Sequence, residues 1–187
     1  MKITIKKYQQ VNSTNDTAIS LIKKNFSKPT LVMSEKQNKG RGRVGKKWIS
    51  KKGNLFISIF FKFDKKKINF KQLAILNAFL LRKIISTTIS KKIKIKWPND
   101  LFLNKRKFCG ILQEVIKFDT FYYLIVGIGV NTNIAPQNKS FKSTCLKNIL
   151  NKKIDNKEIL KKIAIAYEKF IKEINNLSFL DLKRKYK

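Results

Sequence analysis

The apolar positions of this chain alternate between a two-residue and a 3.6-residue period, and the changes of period mark out its elements. Lys2 to Tyr8 reads as a short first strand. It runs into Asn12-Ser13-Thr14-Asn15-Asp16, where Ser13 and Asp16 form a capping-box-like start for a helix to about Lys24, with Ala18, Leu21 and Ile22 on its apolar face. Thr30 to Ser34 reads as a strand leading to a glycine-rich loop at 37–48. From Leu55 to Phe63, Leu55, Ile57, Ile59, Phe61 and Phe63 share one face while Phe56 and Phe60 make the other partly apolar, which predicts a central strand. Asn69 to about Ile89 carries Leu73, Leu76, Leu80 and Ile84 at helical spacing, a helix long enough to cover one face of a sheet. Short strands follow at Ile93 to Lys96, Leu101 to Leu103, Lys107 to Ile116 and Thr120 to Val130, with a turn at Asn104-Lys105-Arg106, paired mostly antiparallel. Asp155 with Glu158 predicts another capping-box start, and Ile159, Ile163, Tyr167, Phe170 and Ile174 line one face of the terminal helix. The pattern as a whole predicts an α+β fold, one mixed, mostly antiparallel sheet covered by helices, in a single domain over residues 1–187.

Composition narrows the function. At 187 residues and 43% hydrophobic, the chain supports one good core. Its longest apolar stretches, Leu55 to Phe61 and Tyr122 to Val130, fall well short of the roughly 20 residues that span a bilayer. The opening MKITIKKYQQ lacks the hydrophobic block of a signal peptide, so a soluble, cytoplasmic protein with no membrane partner is expected. There is no histidine, and Cys109 and Cys145 share no ligand spacing, which excludes zinc sites and Ser-His or Cys-His triads. Cys109, inside Phe108-Cys109-Gly110-Ile111-Leu112, reads as a small core residue. The formal charge of +32 is of the size that argues for nucleic acid, but the basic residues are spread over the whole length and form no single stripe. That reads as a compositional bias, with a field that attracts ATP, an acidic protein or RNA and weakens with salt.

Against so biased a background, the rare residues are the informative ones. All seven glycines fall in three short segments; Trp48 follows the first glycine cluster and Trp97 opens a Trp-Pro-Asn-Asp turn. Of five arginines, Arg41 and Arg43 share the first glycine cluster. Permissive backbone, guanidinium forks and large aromatics concentrated in a few loops are what a small-molecule site requires. Gly40-x-Gly42-x-x-Gly45 has the dinucleotide spacing, yet Lys46-Lys47-Trp48-Ile49-Ser50 and a strand follow it, where a dinucleotide fingerprint needs a helix. Such a loop can fold over a small anion and set two guanidinium groups on carboxylate or phosphate. Taken singly, Ser13-Thr14-Asn15 is a helix cap, Trp97-Pro98-Asn99-Asp100 a turn, Gly127-x-Gly129 a bulge and Lys107 one lysine among many.

Taken together and in order they resemble the biotin protein ligases. The resemblance runs from about residue 10 to 135 on Ser13-Thr14-Asn15, the Gly40 to Trp48 loop with Ser50, Lys96-Trp97-Pro98-Asn99-Asp100-Leu101, Lys107-Phe108-Cys109-Gly110-Ile111-Leu112-Gln113-Glu114 and Val126-Gly127-Ile128-Gly129-Val130-Asn131. It implies the class II synthetase-like catalytic fold shared by biotin and lipoate ligases. It also implies an enzyme that forms biotinyl-5'-AMP from biotin and ATP and passes biotin to a lysine of a carrier protein, the biotin carrier of acetyl-CoA carboxylase. By the same resemblance Ser13, Thr14, Asn15, Gln37, Arg41, Gly42, Arg43, Lys107 and Gly110 bind biotin. Arg41, Arg43, Trp48, Asn99, Lys107 and Asn131 bind nucleotide; Lys107, Arg43 and Asp100 are catalytic, with Asp100 near Mg²⁺.

Chemistry asks for the same residue types. Joining a carboxylate to AMP brings two anions together, and Lys107, Arg43 and Mg²⁺ neutralise the charge that develops on phosphorus. The mixed anhydride hydrolyses readily, so the loop must also exclude water until the acceptor amine arrives, with Asp100 a candidate base or orienter. The helix-turn-helix and SH3-like modules of many family members are expected to be absent, so no specific DNA partner is expected; monomer and homodimer both stay open. Two other readings are a lipoate or octanoyl ligase of the same fold and a basic nucleic-acid-binding protein.

Overall fold

The computed structural model describes residues 2–89, 92–137 and 142–187. In chain order the elements are β1 (Thr4–Val11), α1 (Thr14–Lys23), β2 (Thr30–Gln37), β3 (Leu55–Phe63), α2 (Phe70–Ser86), β4 (Lys94–Lys96), β5 (Asp100–Leu103), β6 (Arg106–Phe118), β7 (Phe121–Val130), α3 (Leu146–Leu150), α4 (Asn156–Glu173) and α5 (Phe179–Tyr186). The seven strands make one sheet in the order β1-β2-β3-β7-β6-β5-β4. Only β1 and β2 run parallel, because α1 carries the chain back between them; hairpins or antiparallel neighbours make the rest. The expected mixed, mostly antiparallel α+β sheet is what forms.

β3 lies at the centre, and every side chain in it except Lys62 is buried. Leu55, Ile57, Ile59, Phe61 and Phe63 face a large core closed by α2, α4 and α5. Inside it the Tyr167 hydroxyl donates to Asn77 Oδ1 at 2.6 Å, tying α4 to α2. On the other face Phe60, Val32, Tyr123 and Ile125 meet Ala18, Leu21 and Ile22 of α1 in a smaller core. One ten-residue helix covers only part of that face. The rest of it, where Ser58 pairs with Gly127 and Gly110 with Gly129, has no helix over it among the described residues, and the glycine-rich loop lies there instead.

Several element ends differ from the pattern's reading. β1 starts and ends later, at Thr4 and Val11, and α2 stops at Ser86. α3 and α5 were not foreseen. Ser13 does cap α1 by accepting from Asp16 N, but the Asp16 carboxylate turns to Arg41 and does not close a reciprocal box. The reciprocal box forms at α2 instead, between Asn69 and Gln72. At α4, Asp155 accepts from Lys157 N while Glu158 pairs with Lys162. Among the described residues no helix is long and apolar enough to cross a membrane.

A bulge decides which way Lys107 points. Asp100 pairs with Gly110 and Leu101 with Cys109, but Phe102 pairs with Lys107, so Phe108 is the extra residue on β6. Phe108 and Cys109 therefore both enter the large core, and Lys107 is returned to the face that carries Gly110.

Candidate active site

The uncovered half of the second sheet face is the floor of a cavity of about 780 Å³. At one end Gln37 Oε1 accepts from Thr14 N at 2.8 Å and from Thr14 Oγ1 at 3.1 Å, and Gln37 Nε2 donates to Ser50 Oγ at 3.0 Å. Ser58, from the central strand, places its hydroxyl 2.7 Å from Thr14 Oγ1 and also donates to Asn15 Oδ1. Asn15 lies across Gly127 and donates from Nδ2 to Glu114 Oε2 at 2.6 Å. This end is a closed set of small polar groups with Ser13, Thr14 and Asn15 all buried.

The opposite end is cationic. Lys107 Nζ is 2.7 Å from Asp100 Oδ1, and both side chains are largely buried, at 13% and 21% exposure. Arg43 Nη1 donates to Asn99 Oδ1 at 3.1 Å, and Asn99 is itself clipped to β6 through Ile111 N and O. Lys46, Lys47 and Lys96 also reach the cavity, so six cationic side chains line it against one carboxylate, that of Asp100. Between the two ends sits Trp48, 5.3 Å from Lys107 Nζ at its ring centroid. A Cβ on Gly110 or Gly129 would come within 2.5 or 2.4 Å of its indole, so the ring can lie on this floor only because both residues lack a side chain. Trp48 Nε1 is buried with no hydrogen-bond partner among the described residues, a donor that a bound acceptor would satisfy.

The loop itself is a tight hairpin. Gly42 N donates to Lys46 O, Lys46 N to Arg43 O, and Val44 and Gly45 both take positive φ. Arg41, at its base, bonds Glu114 through both terminal nitrogens at 2.8 and 2.7 Å and pairs with Asp16 at 2.8 Å. Burial alone would lower the guanidinium pKa, but the bond to Glu114 and the charge of Asp16 outweigh it and hold it above its ordinary value.

Ser13, Thr14, Asn15, Gln37, Arg41, Gly42, Arg43, Trp48, Asn99, Asp100, Lys107 and Gly110 thus all reach one cavity. Asn131 does not line it: it is buried past the end of β7 and donates to Thr144 O, behind the bulge. The sequence pattern gave no role in the site to Ser58, Glu114 or Asp16. Signals for two of them were there. Ser58 is the one polar residue between Leu55 and Phe61, and Glu114 is one of only 11 acidic residues in the chain.

No cluster of three or more metal-ligating side chains occurs among the described residues. Asp100 is paired with Lys107, so a metal ion would depend mainly on ligands that arrive with a substrate.

The model of the biotin/lipoate A/B protein ligase family matches residues 7–131. The bifunctional ligase/repressor BirA of Bacillus spizizenii is 32% identical over 183 residues, covering 94% of this chain and 56% of the relative. The biotin--[acetyl-CoA-carboxylase] ligase of Paracoccus denitrificans is 32% identical over 130 residues, 68% of this chain and 54% of the relative. The chain therefore spans about half the length of the curated relatives it matches. Among solved structures, the biotin protein ligase from Aquifex aeolicus in complex with biotin and ATP superposes with a TM-score of 0.82 at 30% identity, over 98% of this chain and 76% of the other. A bipartite lipoate protein ligase from Thermoplasma acidophilum shares the fold alone, with a TM-score of 0.60 at 9% identity.

Proposed function

This chain belongs to the biotin/lipoate A/B protein ligase family, and we propose that it joins biotin to AMP at the expense of ATP and then transfers biotin to a lysine of a carrier protein. The observation that carries this reading is one cavity with a buried, uncharged hydrogen-bonding end and a cationic end, separated by an indole.

The uncharged end suits a ureido ring, which both donates and accepts in a plane. Ser13, Thr14, Asn15 and Gln37 supply matching groups, and Ser58 supports them from the central strand. A lipoyl dithiolane has no groups with which to engage this polar set, whereas a ureido ring can exchange hydrogen bonds with it, which favours biotin over lipoate. From there the valeryl chain would run past the Trp48 ring, which itself covers Gly110, toward Lys107.

In the first step a carboxylate oxygen of biotin attacks the α-phosphorus of ATP, the new bond is C–O–P, and the bond to pyrophosphate breaks. Lys107 and Arg43 offset the charge gathering on the phosphoryl oxygens, and Asn99 holds Arg43 in place. Trp48 offers a face for the adenine and Gly42 lets the loop backbone approach; Arg41 and Asn131 would serve the nucleotide side indirectly, Arg41 from the base of the loop and Asn131 from behind the cavity wall. Mg²⁺, entering on the phosphates, would supply further charge neutralisation beside Asp100. In the second step a neutral lysine amine attacks the acyl carbon and AMP leaves. Asp100, already paired with one ammonium group, is placed to orient the incoming amine and receive its proton.

The acceptor we propose is the biotin carrier of acetyl-CoA carboxylase, in the cytoplasm; the printed name of the Paracoccus relative supports the first. Purified protein incubated with biotin, MgATP and an apo carrier domain should add one biotinyl group to the carrier by intact mass. The same experiment with lipoate should add nothing; lipoylation without biotinylation would replace this reading with its alternative.

A further inference from the structure

Resting on the reading above, we propose that Glu114 is a positioning residue that latches the glycine-rich loop shut through Arg41 and orients Asn15 with the same carboxylate. The expected role of Arg41 was to touch ligand. Its two terminal nitrogens are instead engaged by Glu114, and one of them also by Asp16. Arg43, two residues on, bonds Asn99 across the cavity mouth, so the two arginines have different tasks.

The network is continuous from the middle of the sheet to the loop. Ser58 of β3 bonds Asn15 of α1, Asn15 bonds Glu114 of β6, and Glu114 holds Arg41 at the root of the hairpin. The polar end proposed for biotin and the base of the loop thus share one carboxylate. Two acids facing a single arginine are pointed choices in a chain with 43 basic and 11 acidic residues, where most arginines and lysines have no acid to face. The pair is also placed to open. Arg41 and Glu114 side chains are 36% and 26% exposed, so water can replace their mutual bonds at modest cost, as a lid that admits substrate requires. Closed, it would keep water from the mixed anhydride between the two steps.

The test compares Arg41→Gln, Glu114→Gln and the double variant with the parent. Hydrogen exchange by mass spectrometry in the ligand-free proteins should rise several-fold over residues 39–49 in either single variant and stay unchanged over α4. The half-life of the enzyme-held adenylate should shorten at least fivefold, the KM for biotin should rise more than kcat falls, and the double variant should be no worse than either single one. Arg41→Lys, which keeps the charge and loses the fork, should fall between parent and Arg41→Gln. A tenfold or larger kcat loss in Arg41→Gln that Glu114→Gln does not share, or additive losses in the double variant, would assign Arg41 to the ligand and overturn the latch. Should Glu114→Gln fail to fold, Arg41→Gln and Arg41→Lys decide the matter. A parent protein that forms no biotinyl-adenylate defeats the ligase reading, while the exchange comparison still tests the latch.

Discussion

Lys107 is one lysine among dozens, and its distinction is positional: a bulge turns it onto the cavity floor, where Asp100 meets it at 2.7 Å in a largely buried pair. A cation held there acts on developing charge with little screening, so Lys107→Ala should slow adenylate formation by about 10²–10³-fold. Pyrophosphate release measures it, with circular dichroism unchanged; equal turnover would remove Lys107 from the chemistry. Val44 poses a different problem. It sits at φ 52 and is 91% exposed at the tip of the hairpin, a β-branched residue in left-handed backbone. That conformation costs about 1–2 kcal/mol for such a side chain, and asparagine tolerates it far better. Val44→Asn should therefore raise the thermal midpoint, and an unchanged or lower midpoint would mean the turn relaxes in solution. Residues of this kind separate what a sequence reveals from what it hides. Arg43, Trp48 and Gly110 stand out because the composition does not favour them. Ser58 and Glu114 act through partners 43 and 99 positions away, from helix α1, which no local pattern can announce.

Among the elements, those with a long regular period were legible and those fixed by partners were not. β3 matches its expected bounds because alternation over nine residues specifies a strand with two buried faces. The bulge left only a faint trace, the adjacent apolar pair Phe108-Cys109, since a register shift is a property of two strands. α5 was hidden by its charge: of its eight residues three are basic, and its start shows only in Ser178 and Asp181, three apart. Its anchor is Glu173 at the end of α4, which accepts from Lys185 Nζ at 2.8 Å and from the Tyr186 hydroxyl at 2.7 Å. Burial pushes the Glu173 carboxyl up, but these bonds and the charge of Lys185 outweigh it and leave its pKa below the ordinary 4.5. A carboxyl depressed in the folded state stabilises it above the unfolded value and loses that contribution as pH falls through the folded one. Hydrogen exchange over 179–186 should thus accelerate as pH drops below 4.5, after correction for intrinsic rates. Glu173→Gln should show faster exchange already at neutral pH and a flatter response. A parent and variant with identical profiles would mean that α5 is held by Leu182 and Tyr186 packing and by the bonds from Arg82 and Lys83 of α2.

At the scale of the molecule, the charge of +32 is too widely distributed to define a binding face, yet it is not without consequence at the cavity. Six cations against one carboxylate line the space proposed for the triphosphate, and the other basic residues of the chain lie outside that lining. The near set acts at contact distance and is screened little; the far set acts through water, where the Debye length shrinks from about 10 Å at 0.1 M salt to about 3 Å at 1 M. Raising salt should therefore strip away the long-range attraction first and leave the chemistry of Lys107 and Arg43 in place. The KM for MgATP should climb several-fold between low and high salt while kcat changes little. Biotin, with a single carboxylate against the roughly two net negative charges of MgATP, should show a weaker rise in KM. Replacing three exposed lysines that do not line the cavity, Lys152, Lys153 and Lys172, by glutamine should leave both KM values unchanged at physiological salt. If the MgATP dependence is flat, the field of the whole chain has no part in collecting substrate and only the contact residues do; if those replacements raise the KM for MgATP, the attraction is not confined to the surroundings of the cavity.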